Sequence, residues 1–159
     1  MLKKIMMTMM LLVGVQFAAY AQAPAKLQAL PAHEFKDQWD KPIRLTAGTE
    51  WVIFSHHKDG GQWVKESFDN LKITDPKAHQ WLYVADVSQM PSLITSLFAI
   101  PKMKDYAFPI ALSYDEQMTA TWPQQPETVS VYKLYNLVIK DVEYFSNQAD
   151  LQAFLKSIQ

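Results

Sequence analysis

The chain has 159 residues, no cysteine, fifteen Lys and Arg against sixteen Asp and Glu, and an aromatic content of 13%. The missing cysteine removes thiol nucleophiles, disulfides, dithiol redox chemistry and thiolate metal sites together. The near-balanced charge, with no basic stripe, argues against nucleic acid as a partner.

Residues 1–21 read as a cleavable export signal. Lys3 and Lys4 precede an apolar run over residues 5–17, and Ala19-Tyr20-Ala21 sets small residues at the two positions a signal peptidase reads. A cut after Ala21 is preferred to one after Ala23, which would leave Pro24 directly behind the cleaved bond. Thr8, Gly14 and Gln16 interrupt the run, and it is shorter than the ~20 apolar residues that cross a bilayer. The expected mature protein therefore keeps no membrane span and resides in a bacterial periplasm. Removal of residues 1–21 leaves 138 residues with a net charge of −3, and retains only Met90, Met103 and Met118. Those methionines are scattered, which does not support a methionine-rich copper site. With no disulfide available, stability must come from apolar burial, for which the aromatic content is suited.

Residues 22–33, with two prolines and little periodicity, read as an extended leader, and residues 34–159 as a single domain. Alternating apolar positions from Phe35 to Leu45 flank a polar turn at residues 37–41, a β-hairpin pattern. Trp51-Val52-Ile53-Phe54-Ser55 is a short continuous apolar run of the kind that forms a buried central strand. After the loop over residues 56–61, Trp63, Val64, Phe68 and Leu71 are spaced for one buried face of a helix over residues 62–71. A second buried strand spans residues 81–87. Pro91 opens another helix, whose Leu93, Ile94, Leu97 and Phe98 form an apolar stripe and which Pro101 ends. A third strand over residues 110–114 closes at an Asp115-Glu116 turn. Two strands, over residues 129–135 and 138–145, flank Asn136, and a helix over residues 150–158 buries Leu151, Phe154, Leu155 and Ile158. Strands alternating with helices early and an antiparallel pair late give an α/β class.

Three of these segments resemble the thioredoxin-like superfamily, in particular its exported TlpA-like and peroxiredoxin-like members. Phe35 to Leu45 is similar to their opening hairpin, and Trp51-Val52-Ile53-Phe54 with its loop and helix to the strand that delivers a redox motif. Asp86-Val87-Ser88-Gln89-Met90-Pro91, running on to Ala107-Phe108-Pro109-Ile110-Ala111-Leu112, is similar to the strand–helix–proline–strand segment. The resemblance covers residues 33–158 and implies a three-layer α/β/α fold with a mixed central sheet and an N-terminal hairpin. It also implies a cis bond between Phe108 and Pro109, bordering a surface that docks extended polypeptide. The departure lies in the loop where redox-active relatives carry cysteine, which here reads Ser55-His56-His57-Lys58-Asp59-Gly60-Gly61-Gln62. Thiol exchange and thiol-based peroxide reduction are impossible without a thiol.

That loop is the first candidate site. Gly60 and Gly61 ahead of a helix would leave backbone N–H groups for an anion, or simply supply the conformations of a tight turn. His56, His57 and Asp59 suggest a metal. However, adjacent residues leaving a strand point to opposite sides, and His33, His79 and Asp86 have no ligand spacing, so neither a metal nor a cofactor is expected. Trp39 and Trp122 fall in turns and are candidate exposed contacts, whereas Trp51, Trp63 and Trp81 belong to core elements. No Ser/His/Asp order, P-loop or dinucleotide fingerprint is present, and no catalytic residue is assigned. The leading expectation is a non-catalytic module binding an exported protein or peptide in a cleft between the 56–61 loop and Pro109. A metal- or anion-binding protein or non-thiol enzyme using that loop, and a structural envelope protein, are the alternatives.

Overall fold

The computed structural model describes residues 28–159; the expected export signal and the leader up to residue 27 lie outside the described residues. Seven strands form one mixed sheet: β1 (His33–Lys36), β2 (Pro42–Leu45), β3 (Trp51–Ser55), β4 (Trp81–Asp86), β5 (Ala111–Ser113), β6 (Val129–Tyr135) and β7 (Val138–Phe145). Their spatial order is β2-β1-β5-β4-β3-β6-β7. β3, β4 and β5 are parallel at the centre, and the outer strands join antiparallel. The central strands are buried on both faces, which is why β3 and β4 read as unbroken apolar runs rather than alternating ones.

One face packs Ile53, Tyr83, Phe108 and Ile110 beneath Val64 and Phe68 of α1 (Lys58–Leu71) and Leu151 and Leu155 of α5 (Gln148–Ser157). The other collects Val52, Phe54, Leu82 and Tyr132 under Leu30 and Trp122. Residues 28–30, within the expected leader over residues 22–33, are docked on the sheet: the Leu30 N–H donates to the Leu137 carbonyl at 2.8 Å, and Leu30 is buried. His33, the last residue of that leader, already belongs to β1. The expected layered α/β fold with its N-terminal hairpin is thus the observed one. The turn between β6 and β7 places Asn136 and Leu137 at φ of 49° and 67°, left-handed backbone in which Asn is at home.

Four details depart from the sequence reading. First, α1 starts at Lys58, so Gly60 and Gly61 lie in its first turn, neither with positive φ. Second, the Asp115-Glu116 turn continues into a short helix, α4 (Glu116–Thr119), which Asp115 caps by accepting from the Gln117 N–H at 2.9 Å. Third, Pro101 does not stop the helix after Pro91. α2 (Ser92–Ile94) widens into a π turn (Thr95–Ala99) and resumes as α3 (Ile100–Lys104). Proline has no N–H to give and its ring crowds the carbonyl four residues back; widening the turn before it relieves both. Fourth, the stripe on this segment is not buried: Leu93, Leu97 and Phe98 are 70%, 62% and 66% exposed.

Every peptide bond among the described residues is trans, that between Phe108 and Pro109 included. The buried side chain of Gln38 holds the backbone there. Its amide donates to the Phe108 carbonyl at 2.7 Å and accepts from the Ile110 N–H at 2.8 Å, so a side chain supplies the ladder on either side of a residue that cannot donate. Gln38→Leu keeps the volume but orphans a buried N–H and a buried carbonyl. Denaturant unfolding should show a loss of about 2–5 kcal/mol; a loss under about 0.5 kcal/mol would mean the amide is dispensable.

Candidate functional site: a pocket at the ends of the parallel strands

The parallel register brings Ser55 opposite Ala85, one step beyond the Ile53–Tyr83 pair, so Ser55 and Tyr83 are diagonal neighbours on the face that carries α1. Their hydroxyls meet at 2.9 Å, and both residues are buried. Burial holds the Tyr83 phenol well above its ordinary pKa, the Ser55 hydrogen bond opposing it only in part, so the group stays a neutral hydroxyl at physiological pH. Above this pair, between the start of α1 and residues 90–106, lies a cavity of about 500 Å³. Ala85, Ile110, Met90 and Met103 line it, and Ile94 and Phe98 stand at its mouth.

The 56–61 loop forms one wall. His56 and His57 are half-buried, and their rings tilt at 5.4 Å from each other. His56 Nε2–H donates to the Gln125 carbonyl at 3.2 Å, and its ring stacks on Phe54 at 5.7 Å. His57 precedes α1 in extended conformation, its ring edge-on to Trp63 at 5.4 Å. A Cβ at position 60 would come within 2.5 Å of His57 Cε1, so Gly60 is there to admit this ring rather than to form a turn. The His57 ring nitrogens are buried with no hydrogen-bond partner among the described residues. Asp59 and Lys58 are exposed in the first turn, and only Lys58 lines the pocket.

The histidines do not converge. His33 packs on Phe35 in β1, and His79 on Trp81 at the start of β4. Among the described residues no three His, Asp or Glu side chains come together in a group that could hold a metal ion. Asp86 accepts from the Ser88 N–H at 2.9 Å and from the Thr119 hydroxyl, and so ties β4 to α4.

Pro109 does not share the pocket with the loop. Phe108 is buried beneath α1, edge-on to Phe68 at 4.8 Å, while Pro109 lines a separate cavity of about 620 Å³ with Leu82 and Asp37. Pro109 lies three residues before Leu112, the partner of Ala85, or roughly 10 Å back along the strand. Trp122 is not an exposed contact: it is 2% exposed, tilted on Phe54 at 5.2 Å. Trp39 is 37% exposed, with its indole N–H donating to the Lys104 carbonyl at 3.3 Å.

Ser55, Tyr83, Met90, Ile94, Phe98 and Met103 were not recognised as a site from sequence. The one available signal was the apolar stripe before Pro101, which serves as the mouth of a cavity instead of a core contact.

Burial, and next the charge of His57, lower the His56 pKa, while the Asp86 carboxylate pulls the other way. With the folded value below the unfolded one, the unfolded chain binds more protons around pH 6. Stability should therefore be full above pH 6.5 and fall as pH drops through the folded value. His56→Gln should narrow the difference in Tm between pH 7 and pH 5, and NMR should show His56 titrating below 6.5. An unchanged difference together with a titration above 6.5 would refute the assignment.

No family model matches the sequence, and no curated protein matches it. Solved structures do match in fold. A putative thiol:disulfide interchange protein DsbE from Chlorobium tepidum superposes with a TM-score of 0.57 at 12% identity, covering 84% of this chain and 94% of that one. Peroxidoxin BcpB from Mycobacterium tuberculosis gives 0.52 at 15% identity, with 84% and 97% covered. The thioredoxin domain of a thiol-disulfide oxidoreductase from Bacteroides vulgatus gives 0.51 at 13% identity, with 85% and 98% covered. At such identities the likeness is one of fold. The chain has the thioredoxin-like fold and carries no cysteine anywhere in its sequence.

Proposed function

We propose that this protein is a non-catalytic binding module of the periplasm, exported by the segment over residues 1–21, which holds a polypeptide segment of another exported protein. The neighbours' names denote thiol chemistry, which a chain without cysteine cannot perform, so the fold is kept here for something other than that chemistry. The observation that carries the reading is the cavity of about 500 Å³ whose mouth is built from solvent-facing Ile94 and Phe98. Large apolar side chains held in water beside an open pocket mark a surface meant to be covered. The sequence reading placed the polypeptide between the loop and Pro109; the pocket between the loop and residues 90–106 is the better seat.

Polypeptide is favoured over a deeply enclosed small ligand because the apolar surface continues outside the cavity along Leu93 and Leu97. A chain inserting one side chain and laying its neighbours along the π turn would cover both. The test is a random peptide library selected on the wild-type protein and counter-screened on Phe98→Asp. Position 98 is exposed, so the substitution should leave Tm within about 2 °C. Selected peptides should bind the variant at least about tenfold more weakly. Protein recovered from the periplasm should have the mass of a chain starting at Gln22. Peptides that bind both proteins alike, or a full-length mass, would refute the respective parts of the reading.

A further inference from the structure

The pocket floor specifies which side chain enters, an inference that rests on the polypeptide reading above. Ser55 and Tyr83 bring two hydroxyl protons to the floor, and their mutual hydrogen bond uses one. Neither hydroxyl has another hydrogen-bond partner among the described residues, so one proton and several lone pairs face the cavity. The apolar lining beside them is Ala85, Ile110, Met90 and Met103. His56, His57 and Asp86 line the cavity too, but His56 is paired with the Gln125 carbonyl, Asp86 with Ser88 and Thr119, and the His57 ring packs on Trp63. None of them hydrogen-bonds to the hydroxyl pair, so a carboxylate or ammonium at the floor would lose its water without a counter-charge in contact. Lys58 and Lys102 also line the cavity, but both are exposed residues at its outer part.

The entering group must therefore be apolar along its length and carry a neutral hydrogen-bonding oxygen at its tip. Among protein side chains this excludes Phe, Leu and Ile, which bring no polar atom, and Trp, which only donates. Methionine offers a weak acceptor along its stem, and Ser and Thr are too short to reach a floor below walls of this size. Asn and Gln end in an amide whose two N–H groups and carbonyl oxygen one hydroxyl pair cannot all satisfy. Tyrosine alone combines a large apolar body with a terminal hydroxyl that both accepts and donates. We infer that the pocket takes a tyrosine side chain of the partner segment, its phenolic oxygen completing a three-hydroxyl cluster with Ser55 and Tyr83. The ring would stand between Met90 and Met103, where thioether–aromatic contacts are favourable.

The experiment uses two pentapeptides, acetyl-Ala-Ala-Tyr-Ala-Ala-amide and its Phe counterpart, titrated into the wild-type protein and into the Ser55→Ala/Tyr83→Phe double variant. Removing both partners of one hydrogen bond in a volume-conserving way should leave the fold intact, checked by circular dichroism and Tm. The wild type should bind the Tyr peptide about tenfold tighter than the Phe peptide, and the double variant should bind the two alike. A second arm compares p-cresol with toluene, the two side chains without a peptide. Preference for p-cresol that the double variant abolishes, with neither peptide binding, would uphold the hydroxyl chemistry and overturn the polypeptide reading. Equal binding of the two peptides by the wild type would overturn the tyrosine inference and leave the polypeptide reading standing. A preference that survives in the double variant would overturn the inference, and binding of no probe would overturn both.

Discussion

The side-chain amide of Gln38 is the contact on which the site depends. It sits in the turn between β1 and β2, fully buried, and pairs with the backbone of Phe108 and Ile110 on both sides of a proline. It also donates to the Met103 carbonyl at 3.3 Å, which anchors the far end of α3. One side chain therefore joins the N-terminal hairpin to β5 and to the segment over residues 90–106. Ile110 in the pocket floor and Met103 in its wall are both held by this joint. An apolar residue at position 38 would fill the same space without fixing either, because packing alone is non-directional.

On that frame β3 and β4 present a neutral hydroxyl pair, Ser55 and Tyr83, to the cavity. Burial keeps the Tyr83 phenol protonated near neutral pH. On the proposed reading the pair supplies directional recognition: a spare donor beside Ala85, Ile110, Met90 and Met103, under a mouth of exposed Ile94 and Phe98. The π turn that precedes Pro101 carries Leu97 and Phe98, which face solvent.

Most of the fold could be read from the chain, because long patterned elements are fixed by local chemistry. The runs Trp51-Val52-Ile53-Phe54 and Trp81-Leu82-Tyr83-Val84 can hardly be other than buried strands, and Asn136 marks the last hairpin turn. The site was less legible. That Ser55 lies beside Tyr83 is a matter of register between strands separated by a helix, which neither sequence segment encodes alone. The stripe over Leu93, Ile94, Leu97 and Phe98 has the spacing of a buried helix face, and spacing cannot say whether anything covers it. Gly60 resembled part of a turn because close packing of the His57 ring is a tertiary reason for glycine. Pro109 misled for a related cause: it lies ahead of β5 and lines a separate cavity with Leu82 and Asp37, a placement that only the folded chain reveals.

On the proposed reading, a partner binds in the cavity between the 56–61 loop and residues 90–106. Three methionines fall among the described residues: Met90 and Met103 line that cavity, and Met118 packs on the opposite face of the sheet. Methyl NMR of the methionine-labelled protein, titrated with the tyrosine pentapeptide, reads the location of binding directly. The resonances of Met90 and Met103 should shift together with saturation while that of Met118 stays fixed. A saturating shift of Met118 with the other two unmoved would place the binding surface elsewhere and contradict the account.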